Sequence, residues 1–302
     1  MQTFLGVASV GLDAVQAGDV VVLGAPDATP YEAGKASHSQ GAPTALRAAT
    51  VRHAAWHGHH DFDGGDLLLP DGAGRVVDAG NLACDPANPE LNRRMISSAV
   101  RSILEAGAVP LVLGGDDSVP IPVLSAFDGH GSVWIVQIDA HIDWRPERFG
   151  EPLGWSSPMR RASEMAWVEG IIQIGIRGVG SATPKDVADA RSWGAHIVTA
   201  REVHRAGIDA ALAALPANAR VVVSLDFDAL DPSVMPGVAA LAPGGLTYWQ
   251  VIEIFEGLAA RSRLVGCCFV ELMPERDPTG IAALTGARII ANAIAAVRSG
   301  HD

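Results

Sequence analysis

Val133-Trp-Ile-Val-Gln-Ile-Asp-Ala-His-Ile-Asp143 and Arg220-Val-Val-Val-Ser-Leu-Asp-Phe-Asp228 decide the fold. Each is a short, largely apolar run that ends abruptly in acids. A third run, Val109-Pro-Leu-Val-Leu-Gly-Gly115, leads in the same way into Asp116 and Asp117. Short runs apolar at nearly every position suit strands buried on both faces. Side chains alternate along an extended chain, so residues 139, 141 and 143 can project together, as can 226 and 228.

Working outward, further strand candidates cover residues 20–23, 76–78, 171–176, 196–199 and 265–270. With 111–113, 133–138 and 221–225 they make eight. Helical patterns lie between them. Residues 90–106 carry apolar positions at helical spacing and stop at Gly107. Thr183-Pro184 opens another helix, Thr247 can cap residues 248–260, and residues 280–297 form a long apolar helix at the end. Alternating β and α segments with continuously apolar strands predict a mainly parallel sheet covered on both faces. With no repeat, linker or low-complexity run, residues 1–302 are expected to form one domain. Ligands in such folds bind beyond the carboxyl ends of the strands, where these acids fall.

The balance of 22 basic against 34 acidic residues, a net charge of −12, argues against nucleic acid or an anionic membrane as partner. Cys84, Cys267 and Cys268 have neither disulfide-framework nor zinc-finger spacing, which points to reduced core thiols. The start of the chain lacks a signal-peptide charge pattern and no apolar stretch reaches membrane length, so a cytoplasmic protein is expected.

Several carboxylates converging at the ends of buried strands repel one another unless a counter-charge is present. A single Asp after a strand is ordinary turn or cap chemistry. Three such clusters, one with an interleaved His, point instead to metal. Asp139, His141, Asp143, Asp226 and Asp228 offer four carboxylates and one imidazole, and Asp117 adds another carboxylate. Oxygen-rich ligation with little nitrogen suits Mn²⁺ or a similar hard ion. Two such ions can lower the pKa of a shared water and make hydroxide near neutral pH. A magnesium phosphotransferase is less suited, since no Gly-rich phosphate loop with Lys is present.

The motifs Gly114-Gly-Asp-Asp-Ser118, Asp139-Ala-His-Ile-Asp143, Ser224-Leu-Asp-Phe-Asp-Ala-Leu-Asp-Pro232 with Pro236-Gly237, and Gly244-Gly-Leu-Thr247 resemble, in this order, those of the ureohydrolases. That family comprises arginase, agmatinase and related guanidino-compound hydrolases. Glu271, within Val270-Glu-Leu-Met-Pro274, completes the likeness, which runs from about residue 20 to the final helix. The resemblance, nearest the agmatinase-like branch, implies a three-layer αβα sandwich around an eight-stranded parallel sheet, as in arginases. It implies two Mn²⁺ ions bridged by hydroxide, with Asp139, Asp143 and Asp226 joining both ions and His141 and Asp228 completing the shells. Asp143 would also accept the hydroxide proton, and Glu271 would hold the substrate guanidinium. Urea and an amine would be the products, and a homo-oligomer, a trimer or hexamer, the assembly.

Three positions depart from the family pattern. Asp117 stands where a His is usual. Either it ligates and makes the shell more negative, raising the pKa of the bound water, or one metal site is weakened. Trp155 falls at or beside a family His that can pass a proton to the leaving amine. Indole cannot do so, and becomes either a wall for the guanidinium or a core aromatic. Protons would then come from solvent or from His53, His57, His59 or His60, a cluster that reads more naturally as a solvated loop. Arg145 either pairs with a substrate carboxylate, favouring a guanidino acid, or joins Glu147 and Arg148 in a surface ion-pair cluster. The expectation is therefore a hydrolase of a small guanidino compound, agmatine-like or a guanidino acid. Its rivals are a catalytically impaired partner subunit of a heteromeric ureohydrolase and a binuclear hydrolase of another amidine or amide.

Overall fold

The computed structural model describes residues 2–32, 34–69 and 75–299. Its strands in chain order are β1 (Ala8–Ser9), β2 (Val20–Ala25), β3 (His60–Asp61), β4 (Asp66–Leu67), β5 (Val76–Asn81), β6 (Val109–Gly114), β7 (Val133–Ile138), β8 (Val168–Ile176), β9 (His196–Thr199), β10 (Arg220–Asp226) and β11 (Arg263–Val270). Nine of them form one sheet in the order β1-β5-β2-β6-β11-β10-β7-β8-β9, parallel throughout. All eight expected strands are present. The ninth, β1, is a two-residue edge strand on β5 whose Ala8 and Ser9 are exposed, so no apolar run announced it.

Alternate residues of the inner strands feed two apolar layers, one on each face. Val22, Leu111, Val136, Val223 and Phe269 pack on one side with the helices Ala42–Ala49, Tyr248–Arg261 and Ile281–Ser299. Val21, Val112, Ile135, Val222 and Cys268 pack on the other with Pro89–Glu105, Pro120–Ser125 and Pro184–Trp193. This is the expected αβα sandwich. Capping boxes start three helices, pairing Thr183 with Asp186, Thr199 with Glu202 and Thr247 with Gln250.

One local reading is refined and another changes. The segment around His53, His57, His59 and His60 is solvated, as expected, but has local structure: a short 3₁₀ turn, Val51–Ala55, precedes the antiparallel pair β3 and β4. Arg288 of the last helix anchors that pair through Asp61 at 2.5 Å and Asp63 at 2.7 Å. Ile281–Ser299, at 19 residues, is long and apolar enough to cross a membrane by length and composition, contrary to expectation. It packs instead against the sheet and neighbouring helices, with most of its length buried.

Because the four central strands β6, β11, β10 and β7 run parallel, their carboxyl ends open on one edge. Gly114 and Gly115 let the turn after β6 lie close against its neighbours. A Cβ on Gly115 would fall 2.2 Å from the Pro26 carbonyl oxygen, and one on Gly114 2.7 Å from Val270 Cγ1. Asp117 can thereby reach the same edge as the acids of β7 and β10.

Candidate metal centre

Asp117 follows β6, Asp139, His141 and Asp143 follow β7, Asp226 ends β10 with Asp228 just beyond, and Glu271 follows β11. Apart from His141, each of these side chains is at least nine-tenths buried. They form two triads of potential ligands, Asp117–Asp139–Asp143 and Asp139–His141–Asp228, each with donor atoms within 4.8 Å of one another. Asp139 belongs to both. Asp226 lies in neither triad, although it lines the same cavity, and its Oδ1 accepts the Asp228 N–H at 2.7 Å. Asp143 (φ 43°) and Glu271 (φ 70°) sit in left-handed backbone, a local strain of the kind that clusters at working sites.

Hydrogen bonds aim the carboxylates. Gln137 Nε2, from inside β7, donates to Asp139 Oδ2 and to Asp143 Oδ2, both at 2.8 Å. Gln173, its register partner on β8, donates to Gln137 Oε1 at 2.5 Å and to the Ile142 carbonyl at 2.7 Å. The His141 N–H reaches Asp139 Oδ1 at 2.6 Å, and the Ala140 N–H reaches Asp228 Oδ1 at 3.2 Å. His141 Nδ1 lies 3.1 Å from Asp228 Oδ2. Both Glu271 oxygens are engaged. Oε1 accepts the Asp117 N–H at 2.8 Å, and Oε2 meets His38 Nε2 at 2.6 Å.

The electrostatics demand positive charge. Burial first, and then repulsion from neighbouring acids, drives the carboxyls of Asp117, Asp143 and Asp226 well above the usual range. The same causes bring Asp228 to about 6. Burial disfavours the charged form of His141, but its bonds to Asp139 and Asp228 outweigh this and push it up to about 12. Asp117 Oδ2 is buried without a hydrogen-bond partner. A buried acceptor left over, in a mainly carboxylate donor set with one imidazole, fits two hard divalent ions.

The ligand edge opens into a cavity of about 470 Å³. Trp155 lines it and is not a core aromatic. It packs against Tyr31 at a tilt of 50° with centroids 3.9 Å apart and meets His38 edge-on at 5.4 Å. Arg145 also lines the cavity. Its guanidinium donates to the carbonyls of Gly180 and Ser181 at 2.6 and 3.2 Å, so the expected ion-pair cluster with Glu147 and Arg148 does not form. Arg148 lies over the rings of Tyr31 and Phe149, 5.7 and 5.1 Å from their centroids. His53, His59 and His60 line a different hollow with Trp56 and Arg288, and His57 bonds the Leu5 carbonyl, so none of the four faces this cavity.

The sequence reading missed Gln137, Gln173, Tyr31 and His38. The two glutamines did carry a signal, Gln137 being the one polar residue of β7 and Gln173 the one amide of β8. His38, on the loop after β2, carried none.

A model of the arginase family matches residues 18–296 of the chain. Guanidinobutyrase of Pseudomonas aeruginosa is 34% identical over 221 residues, covering 71% of this chain and 69% of that protein. N(1)-aminopropylagmatine ureohydrolase of Thermus thermophilus is 36% identical over 208 residues, 68% of each. Among solved structures, proclavaminate amidino hydrolase from Streptomyces clavuligerus superposes with a TM-score of 0.85 at 27% identity, covering 100% of this chain and 98% of that one.

Proposed function

The chain belongs to the arginase family, and from that premise we propose how its own residues carry out metal-dependent hydrolysis of a small guanidino compound to urea and an amine. The observation that carries the reading is the pair of triads sharing Asp139, at the mouth of a cavity that also holds the Glu271 carboxylate. Asp117, Asp139 and Asp143 would hold one ion, and Asp139, His141 and Asp228 the other, with Asp226 beside them as a further carboxylate donor. Oxygen-rich donors favour Mn²⁺. The ions, when bound, supply the positive charge that polarises water and substrate near neutral pH. Glu271 pairs with the guanidinium and presents its carbon to the attacking water, and Asp143 takes the proton that water gives up. Trp155 walls the planar cation from the side.

The tail of the substrate is read from Arg145 and Arg148. Among the described residues neither has a carboxylate within ion-pair distance, yet both line the cavity. Two guanidiniums balanced only by carbonyls and aromatic faces favour a substrate carboxylate, hence a guanidino acid over agmatine. Unpaired cysteines, with Cys267 and Cys268 buried, agree with a reducing cytoplasmic setting. A homo-oligomer is proposed as the assembly, to be read from solution mass.

The test is metal content per chain after Mn²⁺ reconstitution, together with urea release from agmatine, arginine and guanidino acids. Two ions and urea from a guanidino acid are expected. Fewer than one ion and no urea would leave a non-catalytic partner subunit as the better reading. Two ions without urea would move the chemistry to another amidine or amide.

A further inference from the structure

Breaking the C–N bond sends its electron pair onto the leaving nitrogen, and an amine departs only if that nitrogen gains a proton. The cavity contains few groups able to give one. Arg145 and Arg148 do not release theirs, an indole does not, and His141 lies between Asp139 and Asp228 as a ligand. His38 remains. Its Nε2 lies 2.6 Å from Glu271 Oε2, an oxygen of the carboxylate proposed to hold the guanidinium, so imidazole and substrate share one acceptor.

The loop fixes that placement. The Ser37 N–H donates to buried Asp27 Oδ2 at 2.9 Å, which anchors the residue before His38. Trp155 stands edge-on to the imidazole, and Tyr31 backs Trp155. About a fifth of the His38 side chain is open to solvent, a path for recharging.

From this geometry, and resting on the ureohydrolase reading above, we infer that His38 is the acid that protonates the leaving amine. The C–N bond breaks, its electron pair goes to nitrogen, and the nitrogen takes the proton from His38 Nε2. As the C=O of urea forms, the intermediate's hydroxyl gives its proton to solvent. The neutral imidazole regains a proton from solvent, Asp143 returns to solvent the one it took from water, and the free amine takes up a second proton. Guanidinium and water thus become urea and an alkylammonium. The groups around His38 suit this task. Burial disfavours its charged form and Arg276 adds to that, but Glu271, joined by Asp116, outweighs both and raises the imidazole above its ordinary value. Asp27 is the further acid nearby.

The test compares the Mn²⁺-loaded wild type with His38→Gln and His38→Ala, measuring kcat and KM across pH with the best guanidino substrate. The glutamine amide can still donate to Glu271 but has no proton to transfer. Expected for His38→Gln is a fall in kcat of about 10²–10⁴-fold, with KM nearly unchanged and the alkaline limb of the kcat profile lost. Added imidazole should restore part of the rate in His38→Ala. A His38→Gln enzyme with near-native kcat overturns the assignment and leaves Asp143 or solvent as the acid. So does a rise in KM at constant kcat, which would mean that His38 only braces Glu271. Absence of urea from the wild type with every guanidino compound would overturn the ureohydrolase reading itself, and this inference with it.

Discussion

Stripping the divalent ions should reverse the direction in which stability responds to pH. In the bare chain, burial and mutual repulsion hold Asp117, Asp143 and Asp226 above the ordinary carboxylate range, and Asp228 at about 6. A group whose folded pKa lies above its unfolded value stabilises the fold at low pH, and that contribution is lost as pH rises through the folded value. For Asp228, raised from 3.8 to about 6, the loss above pH 5 is on the order of 1 kcal/mol. His141 has the same sign. Its proton is retained in the fold up to about 12, so from the unfolded value of 6.5 to pH 8 another 2 kcal/mol or so is lost. Roughly 3 kcal/mol between pH 5 and 8 corresponds to a fall in Tm of about 6–12 °C. With ions bound the slope turns over, because carboxylates must be ionised to ligate and binding tightens as pH rises. An ion at about a hundred times its Kd adds about 2.7 kcal/mol. Thermal unfolding followed by tryptophan fluorescence, with chelator or with Mn²⁺ at several pH values, reads both slopes. Chelated protein that grows more stable from pH 5 to 8 would refute the reasoning, since the acids would then be ionised without cost and could not converge as described.

Asp117→His should keep two ions per chain and shift the pH optimum of urea release downward, because the ligand shell loses a negative charge; an unchanged profile would count against Asp117 as a ligand. Gln137→Leu removes the amide that donates to Asp139 and Asp143, and should weaken metal binding about 10–100-fold in competition with a chelating dye. Native affinity there would mean that the glutamines only fill space. Gly115→Ala forces a Cβ against the Pro26 carbonyl and should cost about 3 kcal/mol or more, read by urea unfolding; a loss below about 1 kcal/mol would show that the turn after β6 is free to shift.

The sequence by itself determined the sandwich and the composition of the ligand set. Strands apolar at nearly every position are buried on both faces, and acids placed directly after them collect where parallel strands end. Asp139, His141, Asp143, Asp226, Asp228 and Asp117 were therefore legible as a group before any coordinates, and Glu271 joined them through the family resemblance. Local pattern could not register β1, whose pairing rests on β5 and on no apolar run of its own. Nor could it choose between the two readings of Trp155 or of Arg145, since each choice depends on which distant segment packs opposite. His38 shows why most clearly. It lies 233 residues from Glu271, and the two meet because β2 and β11 both neighbour β6 and release their loops on the same edge. Long-range juxtaposition is a property of strand order, which no short window of sequence records. The candidate ligands were read from where strands end, and the proposed proton donor only from how those ends are arranged.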